Sequence, residues 1–302
     1  MNEQAFKDSS PRTVRAELFC GVEILRRAGI ESARLDAEVL MCHALAASRT
    51  ELYVRFEQLL APHEINAFQE SLQRRARHEP AAYISGAKEF WSLEFAVDTS
   101  VLIPRPETEL LVEWTLSRAR KLGDGRSLKI LDLGTGSGAI AVALATELPE
   151  AQMWASDVSP AALAVARSNA KRHGVERQIN FLSGDLFEPL MDHDIRFDLM
   201  VSNPPYIASR ELAGLPPEVR DYEPVGALNG GKDGLAYYRR IVAGAARWLA
   251  PGGSLLCEIG ADQGQAVAGL IVHADGFDAP EIHQDLAGKD RVVIATKGGA
   301  GG

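Results

Sequence analysis

The chain has 302 residues, 46% of them hydrophobic and 24% charged, a globular composition with enough apolar side chains for two domain cores. Its 32 Lys and Arg against 41 Asp and Glu leave a net charge of −9, which repels phosphate backbones and argues against general nucleic-acid binding. Cys20, Cys42 and Cys257 stand far apart with no C-x-x-C pair, so they read as reduced thiols of a cytoplasmic protein, with neither a disulfide nor a metal site expected. In chain order, residues 1–12 are polar and carry no leader, and no run of ~18 apolar residues follows anywhere that could cross a membrane.

Residues 1–85 read as a helical domain. Val14, Leu18, Val22 and Leu25 recur at helical spacing, as do Ile65, Phe68 and Leu72 after a first-turn Pro62. A helix over about 32–45 puts Leu35, Val39 and Cys42 on one side, expected to face the core. Arg74, Arg75 and Arg77 then read as a solvated helix face. Residues 86–110 form a linker. Short runs with Phe90, Trp91, Phe95 and Val97 suggest a β-hairpin, and Pro104 and Pro106 interrupt the chain before a helix starts.

Residues 111–297 alternate strand and helix beyond Leu128, as a parallel sheet with crossover helices does. Strands are predicted at 129–133, 153–158, 179–182, 197–202, 254–259 and 291–296, with helices at 139–148, 160–173, 235–249 and from 263. The glycine-rich residues 298–302 read as a disordered tail.

Two motifs carry the chemistry. Asp132-Leu133-Gly134-Thr135-Gly136-Ser137-Gly138 joins the first strand of this sheet to its helix, where glycines let the backbone approach a ligand. Asp157 ends the next strand and is placed to accept hydrogen bonds from ribose hydroxyls. Gly134, Gly136 and Ala139 also satisfy a dinucleotide fingerprint, so this loop alone admits either S-adenosylmethionine or NAD.

The second motif, Asn203-Pro204-Pro205-Tyr206, follows a strand and so lies at a carboxyl end of the sheet. The two prolines fix successive φ angles and extend Asn203, giving a rigid turn. It offers the Asn203 side-chain oxygen and the Pro204 carbonyl as acceptors, with Tyr206 as a flat apolar wall. An amide or adenine NH2 is a poor nucleophile because its lone pair is delocalised. Two fixed acceptors that hold its N–H groups turn the lone pair towards a methyl donor and stabilise the charge growing on nitrogen. Such a transfer needs no metal.

With these motifs in place, the chain resembles the class I methyltransferases that modify a glutamine in peptide chain release factors. Further stretches carry the resemblance: residues 32–38, Tyr83-Ile84-Ser85-Gly86, Phe90-Trp91, Leu102-Ile103-Pro104-Arg105-Pro106-Glu107-Thr108-Glu109, Asp221-Tyr222-Glu223-Pro224 and residues 228–234. The resemblance implies a Rossmann-like α/β catalytic domain with an N-terminal helical domain that docks the release factor. It implies that Gly134, Thr135, Gly136, Ser137 and Gly138 hold the methionine part of S-adenosylmethionine and that Asp157 holds its ribose. Asp185 and Leu186 would border the adenine, and Asn203 would contact cofactor and substrate. Asn203, Pro204, Pro205 and Tyr206 would bind the glutamine of a Gly-Gly-Gln motif. Leu186 stands where some members carry tryptophan, which keeps apolar contact with adenine but gives up stacking.

Three other readings compete. An adenine or guanine N-methyltransferase acting on DNA or RNA would use the same turn, but the charge and the stretch around Arg105 argue against it. A dehydrogenase leaves the Asn203 turn unexplained. A non-catalytic interaction protein that keeps the fold predicts decay of the motifs, and both are intact.

Overall fold

The computed structural model describes residues 12–123 and 127–298, so residues 1–11, the first part of the polar N-terminus, lie outside the described residues. Residues 299–302, most of the glycine-rich tail, lie outside them too, and Gly298 donates from its backbone to Gly276 O at 3.0 Å. Among the described residues no helix is long and apolar enough to cross a membrane. The chain divides into two compact units, one of residues up to Gly86 with Pro217–Tyr222, the other of Ala87–Pro216 with the residues from Glu223 onwards.

The first unit is helical, with α1 (Val14–Arg27), α2 (Ala33–Leu45), α3 (Arg49–Val54), α4 (Pro62–Arg75) and α5 (Ala81–Ser85). Local chemistry sets the starts: Thr13 caps α1, a Ser48–Glu51 capping box opens α3, and Pro62 occupies the first turn of α4. The stripes predicted on α1 and α4 are the buried ones, since Val14, Leu18, Val22, Leu25, Ile65, Phe68 and Leu72 share one core.

Helix α2 turns the other way. Leu35 and Val39 are exposed, while Asp36, Ala37, Glu38, Leu40 and Met41 face inwards. The apolar stripe that faces the core is Ala33, Ala37, Leu40, Met41 and Leu45, at the same helical spacing, and the acids carried in beside it are paired. Arg75, expected on a solvated face, is 4% exposed and pairs with Asp36 at 2.7 Å and with Glu218 at 3.5 Å. Glu38 accepts from Arg34 at 3.1 Å, Arg49 at 2.6 Å and Tyr53 at 2.8 Å. Burial pushes the Glu38 carboxyl up, but these three donors outweigh it and hold it below its ordinary value. Helix α4 ends with Arg74 paired to Glu79.

The second unit begins with the hairpin β1 (Ala87–Phe90) and β2 (Leu93–Ala96) and continues into α6 (Glu109–Leu122). Next come β3 (Lys129–Leu133), α7 (Ala139–Glu147), β4 (Gln152–Asp157), α8 (Pro160–Arg172), β5 (Ile179–Ser183) and β6 (Phe197–Ser202). The short α9 (Pro217–Arg220), counted with the helical unit, is followed by α10 (Ala236–Trp248), β7 (Leu249–Glu258), α11 (Gly264–Val272), β8 (Glu281–Gln284) and β9 (Asp290–Thr296).

Seven strands form one sheet in the order β5-β4-β3-β6-β7-β9-β8. The first five are parallel, and β9 runs antiparallel to β7 and β8. Alternate residues feed two cores. Ile130, Leu199, Leu256 and Val292 pack with α6, α7 and α8, whereas Leu131, Met200, Leu255 and Val293 pack with α10 and α11. Strand β8 and the antiparallel direction of β9 escape the sequence pattern because β8 is short and polar, with no residue fully buried.

The hairpin is built into this unit through Phe90 and Phe95, which join the first of the two cores. The buried Asn169 clamps it: its Oδ1 accepts from Ala96 N at 2.8 Å, and its Nδ2 donates to Ala96 O at 3.0 Å and Ser137 O at 2.9 Å. One side chain therefore ties the hairpin to the glycine loop.

Candidate functional site

The sheet fixes where a ligand can bind. Crossovers run outwards from β3 to β4 and β5, then return to β6 on the other side of β3. The loops after β3 and β6 consequently diverge and leave a crevice at the carboxyl edge. A cavity of about 340 Å³ lies there, in the range of small-molecule sites.

The glycine loop forms one wall. Gly134, Gly136 and Gly138 adopt φ angles of 74°, 55° and 81°, which L side chains rarely take. Among the described residues nothing lies within 4 Å of a Cβ built on Gly136, which leaves space that a ligand can use. Ser156 O receives the N–H groups of Gly134 and Thr135, each at 2.9 Å. Asp157 Oδ2 accepts from Gly136 N at 2.8 Å and Oδ1 from Ser159 N at 2.9 Å. Each oxygen keeps a further lone pair. Beneath the loop, Asp132 is wholly buried and accepts from Thr135 Oγ1 at 2.7 Å. Burial, helped by the charge of Asp157 and opposed by the Thr135 hydrogen bond, pushes its carboxyl up to about 7.

The cavity brings together Gly134, Thr135, Gly136, Ser137, Asp157, Asp185, Leu186, Asn203, Pro204 and Pro205. Two residues of the sequence reading stand back from it. Gly138 caps the start of α7, where an added Cβ would sit 3.0 Å from Ala166 Cβ. Tyr206 is partly buried against the core shared by α10 and α11, and its phenol is pushed up to about 12 by burial. The aromatic ring in the lining is Tyr237, on α10. Arg240 lies over that ring and pairs with Asp185 at 2.6 Å. Leu186 holds a positive φ of 51° beside it.

The Asn203 turn is braced from behind. Gly230 packs against it so closely that an added Cβ would sit 2.8 Å from Pro205 O and Tyr206 Cα. Gln263 Nε2 donates to Tyr206 O at 3.0 Å. From the front, the Pro106–Thr108 turn brings Thr108 to the Asn203 amide, whose Nδ2 donates to Thr108 Oγ1 at 3.2 Å. Arg105, another lining residue, pairs with the buried Glu223 at 2.6 Å. That pair explains why two distant stretches of the resemblance go together.

Residues 20–86 match the family model for the PrmC N-terminal domain, and residues 107–214 that for the methyltransferase small domain. The release factor glutamine methyltransferase of Geobacter sulfurreducens is 47% identical over 281 residues, 93% of this chain and 95% of that protein. The chain belongs to the release factor glutamine methyltransferase family. The family's member from Moorella thermoacetica is 45% identical, covering 94% of this chain and 98% of its own. Among solved structures, the hMettl16 catalytic domain in complex with the MAT2A 3'UTR hairpin 6 shares the fold, with a TM-score of 0.55 over 76% of this chain and 82% of that one at 17% identity.

The protein is therefore a class I methyltransferase that uses S-adenosylmethionine as methyl donor. The cavity suits that donor. It combines an open glycine cradle, an apolar floor from Leu133, Ala139 and Ile140, and the carboxylates of Asp157 and Asp185. The sequence reading missed Thr108 as an individual residue and Tyr237 altogether, since neither carries a signal in spacing or composition.

Proposed function

We propose that this methyltransferase transfers a methyl group to the side-chain amide nitrogen of the glutamine in the Gly-Gly-Gln motif of a peptide chain release factor. The observation that carries this reading is that Asn203, Pro204 and Pro205 line the same cavity as the glycine loop and Asp157. A nitrogen held by the turn is thus beside the place where the methyl donor fits. When bound, S-adenosylmethionine supplies an electrophilic methyl group on a sulfonium centre.

The chain's own residues bind and orient. Gly134, Thr135, Gly136, Ser137 and Gly138 shape the cradle for the methionine part, Asp157 accepts from the ribose, and Asp185 and Leu186 flank the adenine. Asn203 Oδ1 and the Pro204 carbonyl accept the two N–H groups of the glutamine amide and aim its lone pair. Pro205 stiffens the turn, and Tyr206 anchors it through Gln263. The helical domain, residues 1–85, docks the release factor, the hairpin and linker over 86–110 join it to the catalytic domain, and a translation-factor substrate places the reaction in the cytoplasm.

Asn203→Ala tests the assignment. Single-turnover transfer to a release factor is expected to fall by about 10²–10³, the usual cost of one preorganised contact. Affinity for S-adenosylmethionine by calorimetry is expected to change far less, because the glycine loop and Asp157 remain. A rate within a few-fold of the parent contradicts the role given to Asn203.

A further inference from the structure

Asn203 serves an amide substrate only if its oxygen faces the cavity. Flipped, it would present an NH2 to an NH2, donor against donor. The two ends of the Asn203 amide have nearly the same shape, so only hydrogen bonds select between them. Thr108 Oγ1 makes that selection, receiving Nδ2 at 3.2 Å. A hydroxyl can accept as well as donate, however, so it discriminates only if its own hydrogen is committed elsewhere.

The carboxylate of Glu258, 1% exposed at the end of β7, is the destination the geometry offers for that hydrogen, and Thr108 favours its ionised form. The sheet register puts it there: Ser202 pairs with Cys257 on the neighbouring parallel strand, so Asn203 and Glu258 follow side by side. Glu258 Oε2 is buried and has no hydrogen-bond partner among the described residues. Burying a carboxyl this way is costly, and neither the cofactor cradle nor the fold's ion pairs use it.

We propose that Glu258 and Thr108 form a relay that locks the Asn203 amide with Oδ1 towards the acceptor nitrogen, and that methyl transfer requires Glu258 in its ionised form. This deepens the function proposed above and rests on it. Thr108 and Glu258 are positioning residues, acting through Asn203.

The surroundings put the switch near neutral pH. Burial is the largest influence on Glu258 and pushes its carboxyl up to about 7, against the opposing influences of the Thr108 hydroxyl and the charge of Arg291. Arg291, on β9, is itself paired with Asp285 at 3.2 Å. Arg105 and Glu107 act from the segment before α6, with opposite signs. Tyr206 faces Glu258 from the turn after β6, and Tyr238 on α10 donates to the Glu258 backbone carbonyl at 2.7 Å. Once protonated, the Glu258 carboxyl donates to Thr108. The Thr108 hydrogen is then released to point at Asn203, which favours Oδ1 on that side and turns the amide NH2 into the cavity. The active form is the deprotonated one, so the rate rises with pH through about 7.

The test is single-turnover methylation of a Gly-Gly-Gln release factor by the full chain from about pH 6 to about pH 9, with saturating S-adenosylmethionine. The parent rate is expected to rise through the neutral range. Glu258→Gln, neutral at every pH, is expected to lose that acidic limb and to run at least about 10-fold below the parent plateau. Thr108→Val is expected to lower kcat by about 10²-fold while the KM for S-adenosylmethionine stays within a few-fold, and Thr108→Ser to recover most of that loss. A role in stability alone would leave the pH profile in place. An acidic limb that persists in Glu258→Gln overturns the relay, as does Thr108→Val at the parent rate or Thr108→Ser as slow as the valine variant. Should Thr108→Val not fold, the Glu258→Gln profile decides alone. If the parent transfers nothing to glutamine, the functional reading falls and takes the relay with it.

Discussion

Asp132 and Asp157 stand on either side of the glycine loop and do opposite things for stability and binding. Asp132 has a folded-state pKa of about 7, above its ordinary 3.8, so in that window the folded chain holds a proton that the unfolded chain has lost. Stability therefore falls as pH rises between those values. Asp132→Asn is expected to melt close to the parent at about pH 4 and more than about 2 °C above it at about pH 8, a shift that corresponds to roughly 1 kcal/mol. A gain that shrinks with rising pH contradicts this sign. Asp157 instead offers its remaining lone pairs outwards while bracing Gly136 and Ser159. Asp157→Ala is expected to weaken S-adenosylmethionine binding by 10-fold or more, since hydrogen bonds to a charged group are worth about 1.5–3 kcal/mol. Calorimetry giving an affinity within two-fold of the parent contradicts it. Asp157 is legible in the sequence from its place at a strand end, whereas the loop motif gives Asp132 no role of its own. Glu258 also ends a strand, but only the β6–β7 register brings it beside Asn203, and no local pattern encodes that register.

At the scale of elements, the outcome for α2 shows where pattern reading stops. Leu35 and Val39 at helical spacing look like a core stripe, yet the helix buries a rival stripe, Ala33, Ala37, Leu40, Met41 and Leu45, and the acids carried in with it are matched by Arg75, Arg49 and Tyr53. Periodicity ranks side chains by hydropathy and is blind to a partner many residues away. The parallel strands were legible for the opposite reason, since residues buried on both faces give continuous apolar runs. Arg75→Met is expected to destabilise the helical unit by about 3–5 kcal/mol, because Asp36 would remain buried without its cation. Denaturant unfolding of the full chain measures it. S-adenosylmethionine affinity should hold, as every cavity residue belongs to the other unit. Unchanged unfolding contradicts the importance given to the pair.

On the scale of the whole molecule, the sequence alone separates a helical part from an α/β part, but it does not reveal that Pro217–Tyr222 packs with the helices. Two side chains explain the return: Glu218 reaches Arg75, and the Tyr222 hydroxyl donates to Arg77 O at 2.8 Å. The net charge of −9 belongs to this scale as well, since it opposes a nucleic-acid acceptor while leaving a protein acceptor open. Competition between acceptors is accordingly the most direct test of the account. The full chain is incubated with S-adenosylmethionine, a release factor and an RNA hairpin together, and mass spectrometry locates the transferred methyl group. The account predicts one methyl on the side-chain amide of the glutamine in Gly-Gly-Gln and none on the RNA. A methyl on an RNA base, or on a release-factor residue other than that glutamine, contradicts it.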